Sequence, residues 1–289
     1  MITPEIQDKI EQVANLPTLP QVASRLLKLV HSPDTSLAEV AAVVGQDLSL
    51  SAKVLRMANS AFYGIPRTIS TINNATAILG LKVINTLVLS LTVFDMFPED
   101  RSAIFFNRKK FWNHSIGCGM IAKALAQKLG PSVMCDPEEA FCAGLLHDIG
   151  KVVMEQYMHA DFQQSLRHAI RHKIPLFDAE QKILGFTHTD VAGWLTSRWE
   201  LPGELLTPIL YHHTPHECGD YRLNTCLCHY ADWLSYEAGL SLDESFVGPS
   251  LDPLCIKQLN IPDAVLQALR ENLGGELQKL AIFYSVASD

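Results

Sequence analysis

The chain has 289 residues, 48% of them hydrophobic, which is enough apolar material for one large core or two moderate ones and excludes a disordered polypeptide. A formal charge of −8, with no basic run denser than Arg108-Lys109-Lys110, argues against nucleic acid or an anionic membrane as partner and leaves small ligands and proteins. Seven cysteines, an odd number with no Cys-x-x-Cys pair, fit reduced thiols in a cytoplasmic protein, and the N-terminus Met-Ile-Thr-Pro-Glu-Ile-Gln-Asp has neither the charged nor the apolar region of a secretory signal.

Apolar residues recur at helical spacing almost throughout, and alternating β-branched or aromatic runs are nearly missing, so the predicted fold is all-α. A first lobe, residues 1–98, opens with Leu16-Pro-Thr-Leu-Pro20, an extended entry into a helix through Val22, Leu26, Leu29 and Val30 that ends at Ser32-Pro-Asp. Ser36-Leu-Ala-Glu39 is a capping box for a second helix, with Val40, Val43 and Val44 inward and Gly45 at its end. A third helix is expected over 48–59 with Leu50, Val54 and Met57 inward, then turn material to Pro66 and a further helix beginning at 72–79. The stretch from Ala75 to Phe94 is the one apolar enough to raise the question of a membrane, but Gly80 splits it and Lys82 and Asn85 sit inside it, so it reads as one or two buried core helices.

Between Phe97 and Lys110 the apolar period is lost, which places the boundary to a second lobe, residues 99–289. Helices are expected there over 111–129, 137–156, 160–173, 176–184, 189–199, 202–211 and 223–238. Turns at Gly248-Pro249 and Asp252-Pro253 follow, then a helix capped by Ile261-Pro-Asp263, with Gly274-Gly275 before a last one.

The second lobe carries the chemistry. His147 and Asp148, in Ala143-Gly-Leu-Leu-His-Asp-Ile-Gly-Lys151, put an imidazole and a carboxylate side by side on an apolar helix, where a buried aspartate needs a metal, a cation or hydrogen-bond donors as partner. Lys151 lies three residues on, nearly on the same face, placed to pair with Asp148, with a substrate phosphate, or simply with solvent. His114 opens a helix whose Ser115, Gly117, Gly119 and Ala122 allow a neighbour to come close; alone it also fits a plain N-terminal histidine. His188, in Gly185-Phe-Thr-His-Thr-Asp190, starts a helix, and His212-His213 closes one before Thr214-Pro215, where imidazolium also suits the helix dipole. Asp232 sits mid-helix, which is intrinsically unfavourable for aspartate, three residues after His229. His159, His168 and His172 share a polar face with Arg167, Arg171 and Lys173, and His216 falls in a loop, so these are set aside. Zinc, iron and manganese take imidazole nitrogen and carboxylate oxygen at about 2.0–2.2 Å, so four or more of the candidates spread over several helices are able to build one site.

A histidine, a downstream His-Asp doublet and a later aspartate, here His114, His147-Asp148 and Asp232, resemble the signature of the HD superfamily of metal-dependent phosphohydrolases. More specifically, the chain resembles HDOD proteins, the HD-related output domains of bacterial signalling. That likeness is carried by Leu16-Pro-Thr-Leu-Pro20, Asp47-Leu-Ser-Leu-Ser-Ala-Lys-Val-Leu-Arg-Met-Ala-Asn-Ser-Ala-Phe-Tyr-Gly64, Ala77-Ile-Leu-Gly80, Leu145-Leu-His-Asp-Ile-Gly-Lys151, Gly185-Phe-Thr-His188, Trp199-Glu-Leu-Pro202 and Ile209-Leu-Tyr-His-His213. It is also similar to the HD-GYP phosphodiesterases at Lys151, His188, His212 and His213, but Thr214-Pro-His-Glu-Cys-Gly stands where the Gly-Tyr-Pro element would be.

The resemblance implies a multi-helical HD-like bundle preceded by an N-terminal helical lobe, and an intracellular signalling or regulatory role in a bacterium with the HD-type metal set retained. It implies one or two divalent ions, of iron, manganese, zinc, nickel or magnesium: His114, His147, Asp148 and Asp232 around the first, and Asp148 bridging to a second held by His188, His212 and His213. In an active phosphohydrolase of this kind, acting on a nucleotide or other phosphate ester, Asp148 and Lys151 would be catalytic, the lysine steadying phosphoryl oxygens. A helix-turn-helix DNA reader over residues 36–59 is a third reading, disfavoured because only Lys53 and Arg56 charge the would-be recognition helix. The expected partner is a signalling protein or a small phosphate-containing ligand, and with no receiver or other sensory domain apparent in the sequence, the signal is expected to arrive through another chain or a diffusible ligand.

Overall fold

A computed structural model describes residues 17–30, 32–98, 106–242 and 245–289. It is all-α: fifteen helices and two short 3-10 turns, with a single isolated bridge between Pro175 and Val247 as the one β-type pairing among the described residues. Leu16 and the stretch 99–105, part of the aperiodic segment in which the sequence puts the lobe boundary, lie outside the described residues.

By contacts the chain divides into two compact units, one containing Glu99–Leu273 and the other Pro17–Pro98 with Gly274–Asp289. The last sixteen residues therefore group with the first lobe, not with the second as their sequence position suggests, and the reason is aromatic: Phe283 packs 5.1 Å from Phe62 and 6.2 Å from Phe94, ring centre to ring centre.

The smaller unit holds α1 (Gln21–Val30), α2 (Leu37–Val44), α3 (Leu48–Ala58), α4 (Ile72–Leu79) and α5 (Leu81–Met96). Ser36 and Glu39 form the expected capping box, and Asp47 caps α3 by accepting from the Leu50 N–H. Gly80, at φ +88°, breaks the apolar run into two helices bent by 119°, and α5 is buried from Ile84 to Phe94, as a helix apolar all round must be. Among the described residues no single helix is long and apolar enough to cross a membrane, and only this bent, largely buried pair reaches the required length.

The larger unit contains α6 (Arg108–Leu129), α7 (Pro137–Leu146), α8 (Ile149–Tyr157), α9 (His159–His172), α10 (Leu176–Leu184), α11 (His188–Arg198), α12 (Gly203–Tyr211), α13 (Arg222–Glu237) and α14 (Pro253–Leu259). Its core is formed largely by α6 and α13, with Ile121, Leu125, Leu227 and Leu234 buried alongside Cys118, Cys226 and Cys255; all seven cysteines are free. Two departures from the sequence reading stand out. The helix expected over 137–156 is interrupted at His147-Asp148, where Asp148 takes φ −98°, ψ 9°, outside helical geometry. The break expected at Gly274-Gly275 is absent: α15 (Asp263–Ser288) runs through both glycines. The roughly 1 kcal/mol that each mid-helix glycine costs is offset by the burial of Phe283 and Ala287 further along.

Candidate metal centre

Glycine contacts set the geometry. A Cβ on Gly119 would lie 2.7 Å from the Phe141 carbonyl oxygen, and one on Gly144 would lie 2.8 Å from the Gly119 Cα, so α6 and α7 cross backbone to backbone. The small-residue face of α6 thereby brings His114 beside His147, ring centres 5.3 Å apart. A Cβ on Gly150 would meet the His188 carbonyl oxygen at 1.9 Å, so α8 and the start of α11 are in equally close contact. The kink between α7 and α8 is what allows His147 and Asp148, although adjacent, to aim at one point; the Lys151 N–H donates to the Asp148 carbonyl at 2.8 Å to restart the helix.

All seven sequence candidates for metal ligation converge. Around one oxygen of the central carboxylate, Asp148 Oδ2, His147 Nε2 lies at 3.3 Å and His114 Nε2 at 3.6 Å; His114 Nε2 is also 3.2 Å, and His147 Nε2 3.7 Å, from Asp232 Oδ1. The other oxygen, Asp148 Oδ1, faces His188 Nε2 at 3.2 Å and His212 Nε2 at 3.5 Å, with His213 Nε2 3.1 Å from His188 Nε2. Donor atoms of His114, His147 and Asp148, of His147, His212 and Asp232, and of Asp148, His188, His212 and His213 each lie within 4.8 Å of one another. Lys151 donates to Asp148 Oδ2 at 2.5 Å, taking the first of the roles its position allowed.

The residues fit a divalent cation. His114, His147, Asp148, His188 and His212 are at most 1% exposed and Asp232 is 2%, yet His114 Nε2, His147 Nε2, Asp148 Oδ1, His212 Nε2 and Asp232 Oδ1 find no hydrogen-bond partner, at a cost of about 1–3 kcal/mol for each such group unless something else satisfies it. The far side of four rings is already spent. The Nδ1–H groups of His114, His147 and His212 donate to the carbonyls of Leu240 (2.8 Å), Gly144 (2.7 Å) and Ile209 (3.1 Å), and that of His188 donates to Glu180 Oε2 (2.6 Å), which leaves every Nε2 aimed at the cluster. This is the outer-shell pattern that sets tautomer and ring orientation in metal-binding histidines.

Electrostatics point the same way. Burial pushes the Asp148 and Asp232 carboxyls up, but it is outweighed at Asp148 by the charges of His147 and Lys151 and at Asp232 by the adjacent imidazoles of His114 and His147, so both are held well below the usual carboxylate range. Burial opposes charge on His147 and His188, and their neighbouring carboxylates overcome it and raise both. Burial wins at His212, pushed down to about 4, and at His213. Protons on His147 and His188 and a cation therefore compete for the same carboxylates, and ligation displaces the protons.

Two residues fall outside the sequence reading. His229 does not face the cluster: its Nδ1–H donates to the His212 carbonyl at 2.6 Å and its Nε2 accepts from the Asp252 N–H at 2.9 Å, so it holds the His212 backbone in place. Glu180 was missed. Fully buried, it accepts from both the N–H and the ring of His188, and its signal was an acid in the buried 176, 179, 180 stripe of α10 where an apolar residue is expected. Glu180→Gln keeps the shape, removes the charge behind His188, and is expected to weaken divalent binding by about 10–100-fold. Calorimetric titration checks this, and an unchanged affinity refutes it.

Residues 16–215, more than half of the chain, match the HDOD domain. An uncharacterised protein of Treponema pallidum is 25% identical over 213 residues, 73% of this chain, which spans only 40% of that protein's length. Among solved structures, an HDOD domain protein of unknown function from Geobacter sulfurreducens is 25% identical with a TM-score of 0.78, covering 97% of this chain and 96% of that one. A provisionally named signal transduction protein from Marinobacter aquaeolei is 24% identical with a TM-score of 0.82, over 100% of this chain and 62% of the other, and a provisionally named phosphohydrolase from Shewanella amazonensis is 24% identical with a TM-score of 0.73, over 96% and 97%. With the domain matched over most of the chain and an all-α fold shared with solved relatives, the chain belongs to the HDOD family.

Proposed function

We propose that the chain is a regulatory HDOD module of bacterial signal transduction whose HD-type histidines and aspartates hold a divalent cation as a buried structural and sensing centre. The observation that carries this reading is a complete donor set that is closed to solvent: six of the seven ligands are at most 2% exposed, so a phosphoester has no open approach to Asp148. When bound, the cation supplies a concentrated positive charge against the two carboxylates. Asp148 divides its oxygens between the two histidine groups, His229 and Glu180 fix His212 and His188, and Lys151 neutralises Asp148 Oδ2. A hydrolase would need that lysine for phosphoryl oxygens, and here it is 3% exposed and committed to its neighbour.

Phosphoester hydrolysis is the second reading, favoured by one feature: His213 is only half-buried, so one edge of the His188, His212, His213 group reaches towards solvent. The two separate in one experiment. Protein purified without chelator is assayed for metal content and for turnover of bis-p-nitrophenyl phosphate, nucleotides and cyclic dinucleotides. Stoichiometric divalent metal without turnover is expected; turnover that disappears in Asp148→Asn replaces the regulatory reading with the hydrolytic one, and no metal after reconstitution sinks both.

A further inference from the structure

The faces of α11 and α12 turned away from the metal ligands border a cavity of about 630 Å³, of the size that takes small organic molecules. None of the metal-ligand candidates lines it. Its walls include the rings of Phe177, Trp194 and Tyr211, with hydroxyls from Thr187, Thr189, Ser197 and Thr214 between them. Gly193 lies against the Leu210 side chain, where a Cβ would come within 2.1 Å of its terminal methyl, so a larger residue there would displace that side chain.

Its charge is one-sided. The lining contains the carboxylates of Asp190 and Glu217 and neither lysine nor arginine, and Arg198, one turn beyond Trp194 on α11, lies over that indole at 4.8 Å. A phosphate would enter beside two carboxylates, with no lysine or arginine in the lining and the nearby Arg198 guanidinium already stacked on the Trp194 ring. Aromatic faces offer stacking, and carboxylate and hydroxyl oxygens accept hydrogen bonds from amino groups. From this we propose that the cavity binds a planar nitrogen heterocycle carrying amino donors and no phosphate, the chemistry of a free nucleobase or nucleoside.

The cavity is wired to the metal centre by sequence neighbours. Thr187 and Thr189 flank His188, Tyr211 and Thr214 flank His212-His213, and the Phe177 ring lies 4.7 Å from that of His213. A molecule stacked on Phe177 therefore bears on the most exposed ligand of the set, which makes the cavity the input of the sensing centre. That role rests on the regulatory reading above; the ligand class does not.

Adenine, guanine and cytosine, their nucleosides and the matching 5′-monophosphates serve as probes in ligand-observed NMR and calorimetry on the metal-loaded chain. At least one base or nucleoside is expected to bind, its monophosphate about tenfold more weakly, and Phe177→Leu or Trp194→Leu to lose about tenfold in affinity while circular dichroism and metal content stay at the parent values. No binding by any base or nucleoside, tighter binding of a monophosphate, or unchanged affinity in both leucine variants overturns the proposal. Metal content and the phosphoester assay are read separately, so failure of this cavity leaves the regulatory reading intact, and turnover at the metal centre leaves the cavity result standing.

Discussion

Asp148→Asn is expected to abolish stoichiometric divalent binding and to lower stability by about 3–5 kcal/mol in the metal-free protein, because it removes two things at once. One is the only carboxylate among the described residues whose two oxygens face both histidine groups, so the loss exceeds the roughly 10–100-fold expected for an outer-shell residue such as Glu180. The other is the partner of Lys151, which is left charged, buried and unpaired; burial alone would lower the lysine, but Asp148 holds it above its ordinary range. The two effects come apart in Asp148→Asn with Lys151→Met. That double variant is expected to recover most of the stability, as removal of both members of a buried pair usually does, and none of the metal. Chemical denaturation and elemental analysis read the two quantities, and parental metal content in either variant contradicts the assignment of Asp148 as shared ligand.

Gly150→Ala is the second large effect, and its sign runs against helix propensity. In an exposed helix the change would stabilise by about 1 kcal/mol. Here the new Cβ would stand 1.9 Å from the His188 carbonyl oxygen, 2.8 Å from its carbon and 3.0 Å from the Ala192 nitrogen, all backbone atoms with no rotamer to yield. Separation of α8 from α11 is expected to cost at least the ~3 kcal/mol at the upper end of ordinary overpacking and to move His188 away from Asp148, so that a drop in melting temperature and weaker metal binding appear together. Gly185→Ala supplies the contrast: at φ +78° with nothing within 4 Å of its would-be Cβ, it is expected to cost only about 1–2 kcal/mol of backbone strain and to leave the metal bound. Equal melting temperatures for Gly150→Ala and the parent would refute the close-contact argument.

Much of this is legible in the sequence. The helices of both units follow the apolar period, and Ser36 and Glu39 identify a cap because capping is a contact between residues three apart. The seven ligand candidates were legible by type, since histidine and aspartate in apolar helices need a reason to be there. Glu180 was not, because nothing local connects it with His188 eight residues on, and neither was the role of His229, whose two partners, the His212 carbonyl and the Asp252 N–H, lie 17 and 23 residues away. The kink at His147-Asp148 was also hidden, as neither residue at the break is a proline or a glycine.

What the sequence by itself determined is therefore the local part: the all-α class, most helix limits, and a chain whose donor residues resemble those of HD-type metal sites. All three depend on interactions within a few residues of the chain or on residue type alone. Only the tertiary structure decided that the donors share one buried centre, that Lys151 is bound to Asp148 and not free for substrate, and that the last helix ends among the aromatics of the smaller unit. Those outcomes depend on which helices touch, and that is governed by glycine-to-backbone contacts and ring packing between segments up to more than two hundred residues apart.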